Sequence, residues 1–250
     1  MKISLVQMEL SDDLSINLEK HKNFIDSLKS NLIIFPECSL VGYNLKTLLK
    51  YKQKEYYHQL EKAVKVLVST AIEKNISIIL GAVEHDNAEF YNCGLHINSK
   101  GEIFCYRKIT LTETEAEYFQ AGNKPCIFKK SGIIFGHLIC RDQSNLSLFS
   151  IMKEKKVQFL IIQSAHYYSR HIVSWKKQRN LAIPITRAED YKFVVCKVNA
   201  VGSVNNLLAH GNSVFVDSKG MIIKILDDHQ EKAITLDTEN YNDENANRHS

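Results

Sequence analysis

Two short apolar runs that stop abruptly at polar residues constrain this chain most. Leu32-Ile33-Ile34-Phe35 ends at Pro36-Glu37, and the run from Ile133 to Cys140 ends at Arg141-Asp142-Gln143-Ser144. Such runs fit buried strands, and each hands the chain to a charged side chain where the sheet ends. The surrounding pattern sets the class. Lys2 to Met8 reads as a strand, after which Ser11, Asp12 and Asp13 offer capping oxygens to a helix whose Leu14, Leu18, Ile25 and Leu28 share a face. A Lys- and Glu-rich stretch from about Leu45 to Glu73 predicts the next helix. Strands are expected at Ile76 to Val83, Phe90 to Ile97 and Glu102 to Lys108. The second half repeats the alternation, with a helix over Leu146 to Lys153, a strand over Val157 to Gln163, and a helix from about Ile172 to Asp190, interrupted near Pro184. Strands at Phe193 to Asn199, Ser213 to Asp217 and Met221 to Leu226 complete it. Strands alternating with helices, with hairpin signals at Asn98-Ser-Lys-Gly101 and Asp217-Ser-Lys-Gly220, imply an α/β fold with mixed sheets covered by helices.

With 250 residues, 44% of them hydrophobic, the chain is long enough for one large domain over 1–236. From 237 to 250 the composition turns polar and acid-rich, so a mobile or partner-crossing tail is expected there. No apolar stretch approaches the roughly 18 to 20 residues that span a bilayer, and the opening run is too short for a signal-peptide core. A cytoplasmic protein with no membrane partner is the expectation. The net charge of +4 is modest, and the basic clusters are short and lack interleaved aromatics, which argues against nucleic-acid binding. The six cysteines, at 38, 93, 105, 126, 140 and 196, show neither a disulfide framework nor a zinc-ligand spacing.

Cys140 stands out among them, because the carboxyl end of a strand in an α/β fold is where such folds place ligands. A thiol with a reference pKa of about 8.5 needs a base or a cationic neighbour to act as a nucleophile. His137 lies three residues earlier on the same strand, so alternation turns it to the opposite face and gives it a structural role. Glu37, at the end of a buried strand, is the alternative base, since burial raises a carboxyl pKa toward the useful range. Lys108 ends its strand in the same manner.

Together these segments resemble the nitrilase, or carbon-nitrogen hydrolase, superfamily. Phe35-Pro-Glu-Cys-Ser-Leu-Val-Gly-Tyr43, Tyr91-Asn92 with Gly101 through Tyr106-Arg107-Lys108, and Gly136-His-Leu-Ile-Cys-Arg-Asp142 are similar to its three motifs, in order and at family-like separations. Arg187-Ala-Glu189, Val198-Asn-Ala-Val-Gly202 and Gly211-Asn-Ser213 resemble later landmarks. The resemblance implies a four-layer α-β-β-α sandwich, usually dimerised, so a homodimer or higher homo-oligomer is expected. It implies Glu37 as general base, Lys108 as oxyanion stabiliser and Cys140 as nucleophile, with no metal and no organic cofactor. A second glutamate is implied after the lysine; spacing to Tyr118-Phe119 and Gly122 favours Glu115, with Glu117 and Glu113 as alternatives. Tyr43, Arg141 and Ser164 are the expected substrate contacts.

The rim after the nucleophile, Arg141-Asp142-Gln143-Ser144-Asn145, departs from the family's usual sequence, and Thr110 replaces a common histidine. The Gly42-Tyr43 loop and Gly211-Asn212-Ser213 are similar to the glutamine-hydrolysing domain of NAD synthetases, yet no synthetase-like segment follows. Hydrolysis of a small linear amide is therefore the first expectation. N-carbamoyl amine or amino-acid hydrolysis comes next, followed by acyl transfer to an amine and a catalytically idle binding subunit of the same fold.

Overall fold

The protein is described by a computed structural model over residues 1–87, 89–227 and 229–241. The first half runs β1 (Lys2–Gln7), α1 (Leu14–Ser27), β2 (Leu32–Ile34), α2 (Leu45–Leu48), α3 (Lys54–Lys74), β3 (Ser77–Asp86), β4 (Glu89–Ile97), β5 (Ile103–Arg107) and α4 (Glu113–Ala116). The second runs β6 (Cys126–Lys130), β7 (Ile133–Ile139), α5 (Leu146–Glu154), β8 (Phe159–Gln163), β9 (Tyr167–Ser169), α6 (Val173–Tyr191), β10 (Val194–Val198), β11 (Val201–Val204) and β12 (Leu207–His210). It ends with β13 (Val214–Val216), β14 (Ile222–Ile225) and β15 (Lys232–Asp237).

Two six-stranded mixed sheets result, ordered β15-β1-β2-β3-β4-β5 and β14-β13-β10-β8-β7-β6. In each, three central strands run parallel (β1, β2, β3 and β7, β8, β10) and the flanking strands pair antiparallel. The two halves therefore share one pattern of strand directions, differing in that β15 comes to its sheet from the carboxyl end while β6 directly precedes β7. Strand alternation divides their apolar side chains among three cores, which is what a four-layer α-β-β-α sandwich requires. Ile33 of β2 and Ile78 and Leu80 of β3 face α1 and α3, whose Ile25, Leu60 and Leu67 close the outer core. Leu32 and Ile34 face inward onto Phe135, Phe159 and Ile161 of the other sheet. Leu160 and Ile162 face outward onto Phe149 and Met152 of α5 and Ala188 of α6.

The expected long helix from Leu45 is broken. After α2, a 3-10 turn (Leu49–Lys52) and an extended Gln53 redirect the chain, which sets Leu48 and Tyr51 into the outer core. The strand expected to include Cys140 stops at Ile139, and Cys140 opens a 3-10 turn (Cys140–Ser144). Pro184 sits inside a continuous α6. Strands β6, β9, β11, β12 and β15 lie outside the expected set, because their sequences carry no clear period-two pattern. At the carboxyl end Asp237 closes β15, and Thr238–Tyr241 makes one 3-10 turn whose Thr238 Oγ1 accepts from the Met1 ammonium at 2.9 Å. The remainder of the expected tail, 242–250, lies outside the described residues. Among the described residues no helix is long and apolar enough to cross a membrane.

Candidate active site

The carboxyl ends of the parallel strands of both sheets converge on one buried cluster. Beyond β2, Pro36 stops the ladder and Glu37-Cys38 turns over the backbone of β3. There Gly81 leaves the room, since a Cβ on it would overlap the Cys38 nitrogen. Cys38 adopts a left-handed φ of 54° at this bend, and Gly81 N–H donates to Ser39 Oγ at 3.1 Å. Glu37 is thereby fixed with no exposure. Its Oε1 accepts from Asn92 Nδ2 at 2.8 Å and its Oε2 from the Ala165 backbone N–H at 3.0 Å. Asn92 belongs to the first half and Ala165 to the second.

Lys108, one residue past β5, is equally buried and lies between two carboxylates. Its Nζ donates to Glu37 Oε1 at 2.7 Å and to Glu115 Oε1 at 2.6 Å. Among the three candidate acids, only Glu115 makes this contact. It is held by a capping box, Thr112 Oγ1 accepting from Glu115 N–H while Glu115 Oε2 accepts from Thr112 N–H. Tyr43 adds a phenol donor to Glu115 Oε1 at 3.2 Å and stacks on Tyr167.

Cys140 stands at the first position of its turn with φ at 47°, a left-handed conformation that costs a non-glycine residue energy and that structures retain mainly at functional sites. Asp142 clasps this turn. Its Oδ2 accepts from Ile139 N–H at 3.0 Å and Tyr106 Oη at 2.7 Å, and its Oδ1 from Thr110 N–H at 2.6 Å, tying the nucleophile turn to the loop after Lys108.

The electrostatics follow from burial and pairing. Burial pushes Glu37 up, with Lys108 opposing and Glu115 adding. Burial pulls Lys108 down, but Glu37, Cys140 and Glu115 outweigh it and hold the ammonium charged. Burial works against ionisation of Glu115, yet Lys108 and Thr112 keep it below the usual carboxylate range. Burial, then the Glu37 carboxylate, raise the Cys140 thiol, while Lys108 opposes them. The resting arrangement is thus a thiol beside a proton-accepting carboxylate and a permanent ammonium. Such a cluster can move one proton between sulfur and carboxylate and stabilise a developing oxyanion.

A cavity of about 200 Å³ opens over Cys140, lined by Arg141, Gln143, Tyr168, Lys176 and Arg179 among others. Arg141, expected as a substrate contact, lies on this cavity. Tyr43 and Ser164 do not: Tyr43 packs behind Glu115, and Ser164 is buried with its hydroxyl unpartnered. His137 faces His96, away from the turn.

Two contributors escaped sequence reasoning, while Asn92 entered it only as part of the hairpin that resembles the family's lysine motif, with no role at the carboxylate. The Ala165 N–H is a backbone group without a residue signature. Lys197, however, carried a signal, since a lysine inside Val194–Val198 must be buried. Its Nζ donates to the Asn180 carbonyl at 2.6 Å and Gln143 Oε1 at 3.2 Å, and burial pulls its pKa down to about 7.

Comparison with known proteins agrees with this architecture. The chain is 24% identical over 227 residues to an (R)-stereoselective amidase of a Pseudomonas species, covering 89% of this chain and 80% of that protein. It is 24% identical over 232 residues to a probable nitrilase of Schizosaccharomyces pombe, covering 89% and 82%. It is 26% identical over 253 residues to the glutamine-dependent NAD(+) synthetase of Aquifex aeolicus, covering 94% of this chain but only 42% of that protein, so it spans under half of such a synthetase. An amidase structure from a Nesterenkonia species superposes with a TM-score of 0.82 at 19% identity, over 94% of this chain and 89% of that one, and shares its fold. The sequence profile of the carbon-nitrogen hydrolase family matches residues 2–239, and the chain belongs to that family.

Proposed function

We propose that the protein hydrolyses a small linear amide through a thioester on Cys140, releasing ammonia or an amine. The observation that carries this reading is the contact of Lys108 Nζ with Glu37 Oε1 at 2.7 Å and Glu115 Oε1 at 2.6 Å, beside the Cys140 thiol. Glu37 takes the thiol proton as sulfur attacks the carbonyl carbon. The Lys108 ammonium and the Arg141 N–H, in the first turn after the nucleophile, stabilise the oxyanion; donors of this kind are each worth about 10²–10³ in rate. Glu37 returns the proton to the leaving nitrogen, and the C–N bond breaks. Water then gives its proton to Glu37 and attacks the thioester, and the thiol is restored as the carboxylic acid departs. Glu115 positions Lys108 throughout. The base, nucleophile and ammonium are all supplied by side chains.

The cations Arg141, Lys176 and Arg179 on the cavity wall favour a substrate with a carboxylate or comparable anionic group. The same cations suit an N-carbamoyl amino acid, the second reading, which carbon dioxide release separates from the first. We extend the proposal to self-association, since α5 and α6 expose Leu146 and Trp175 by half.

The test is intact-mass spectrometry of wild type and Cys140→Ala on a panel of small amides, acid-bearing amides and carbamoyl compounds, with ammonia followed alongside. An acyl adduct confined to wild type, with ammonia released, is the expected result. Turnover by Cys140→Ala at the wild-type rate sinks the mechanism.

A further inference from the structure

We propose that His96, Cys126 and His137 form a buried binding site for a thiophilic d¹⁰ cation, Zn²⁺ or Cu⁺, between the two sheets and apart from the amide site. The three side chains come from β4, β6 and β7, and all are buried. Cys126 and His137 are register partners in the β6–β7 pair, so they share a face, and His96 approaches from the opposite sheet. His96 Nε2 lies 2.8 Å from His137 Nδ1 and 3.8 Å from Cys126 Sγ, and the three donor atoms all fall within 4.8 Å of one another. A tetrahedral zinc, with bonds of about 2.0–2.1 Å to nitrogen and about 2.3 Å to sulfur, needs donors about 3.3–3.6 Å apart. The His96 contacts depart from that by about half an ångström or less.

A hydrogen-bonded histidine pair would explain the contact between the rings alone. It leaves unexplained the thiol at the same point and an orphan on the far side. His137 Nε2 is buried without a hydrogen-bond partner, and so is Gln163 Oε1. Both side chains crowd against Gly94, where a Cβ would run into His137 Cε1 and come 2.7 Å from Gln163 Oε1. Metal-bound histidines characteristically donate their second N–H to a nearby oxygen, which leaves the other nitrogen as the ligand. Gln163 Oε1, unpartnered and packed against the same glycine, is the oxygen that would take that proton once the ring is metal-bound, leaving Nδ1, which faces His96, as the ligand. Imidazole with thiolate, and no carboxylate, selects Zn²⁺ or Cu⁺ over Mg²⁺ or Ca²⁺. Binding displaces the Cys126 proton, as the S–H bond is exchanged for a metal–sulfur bond.

A cleft of about 450 Å³ at the sheet edges, lined by His96, Phe104, Phe128 and Lys130, gives a route in from solvent. Cys126 also packs with Tyr106, Ile139 and Cys140 in one small apolar cluster, so the site is one side-chain layer from the nucleophile without including it.

The test uses the full chain carrying Cys140→Ala, which removes the other thiol of that cluster. Titration with Co²⁺ is expected to give a near-ultraviolet thiolate-to-cobalt band saturating at about one equivalent and abolished by Zn²⁺. Adding Cys126→Ser is expected to remove the band, and adding His96→Gln instead is expected to weaken affinity by at least about tenfold. The His96 variant, at the cleft-facing ligand, keeps the test decisive if Cys126→Ser folds poorly. A band that survives both changes, or no saturable uptake by the Cys140→Ala chain, overturns the proposal. Neither result depends on which amide, if any, the protein hydrolyses.

Discussion

Lys108 and Lys197 are both fully buried, one in each half of the molecule, and they titrate in opposite directions. Lys108 is flanked by two carboxylates and stays charged. Lys197 has, among the described residues, the neutral oxygens of Gln143 and Asn180 as its hydrogen-bond partners, and burial brings its pKa to about 7. Desolvation penalises both ammonium groups, so the difference is made by the partners. The first half keeps a permanent charge where an oxyanion would form. The second keeps a lysine that is about half neutral near pH 7, behind a wall of the same cavity.

The largest expected effect comes from breaking the first region. Lys108→Met leaves Glu37 and Glu115 buried without a cation, and chemical denaturation is expected to show a loss of about 3–5 kcal/mol. Amide turnover is expected to fall by about 10² or more. A variant as stable as wild type would mean that the two regions do not differ as described.

The corresponding change in the second region should behave otherwise. Between about pH 7 and 10.4 the unfolded chain still holds the Lys197 proton that the folded chain has shed, so stability rises with pH there, by up to about 1.4 kcal/mol per unit. Lys197→Met removes a buried charge and two hydrogen bonds together, and its stability near pH 7 is expected to stay close to wild type. Its distinguishing mark is loss of that slope, read from melting temperatures of the two proteins across the window. Equal slopes would show that Lys197 titrates like an exposed lysine.

Smaller still is Tyr106→Phe, which takes one of several donors from Asp142 while Ile139, Ile109 and Thr110 N–H groups remain. A stability loss of about 1 kcal/mol is expected, with KM nearly unchanged. A loss as large as that of Lys108→Met would make the clasp, rather than the ion cluster, the feature that holds the site together.

What could be read from sequence follows the same division. Glu37, Lys108 and Cys140 each end an apolar strand, where a charged or nucleophilic residue is conspicuous, and the ordered motifs made their grouping legible. The choice among Glu113, Glu115 and Glu117 rested on spacing alone. A capping box was written at Thr112 and Glu115, but Thr114 and Glu117 spell the same pattern, so only tertiary contact with Lys108 separates them. The α/β class with mixed sheets was legible because the central strands are mostly apolar runs, whereas the four layers came from the family resemblance. Of the edge strands, β5 and β14 were expected and β6 and β15 were not, since these last two carry lysines among few apolar residues. No spacing rule could find His96, Cys126 and His137 either, because residues from separate strands meet there only through the docking of two sheets.

The pairing of β15 with β1 has a consequence for how the protein is made. Strand β1 waits for the residues of Lys232–Asp237 before its outer edge is covered, and Glu37 waits for Ala165 before its second oxygen is held. Synthesis therefore delivers the carboxylates and the ammonium before the sulfur, and leaves the edge of β1 open until Lys232–Asp237 has been translated. The growing polypeptide is most vulnerable to pairing with the wrong neighbour during that interval, and has the least chemistry to misdirect.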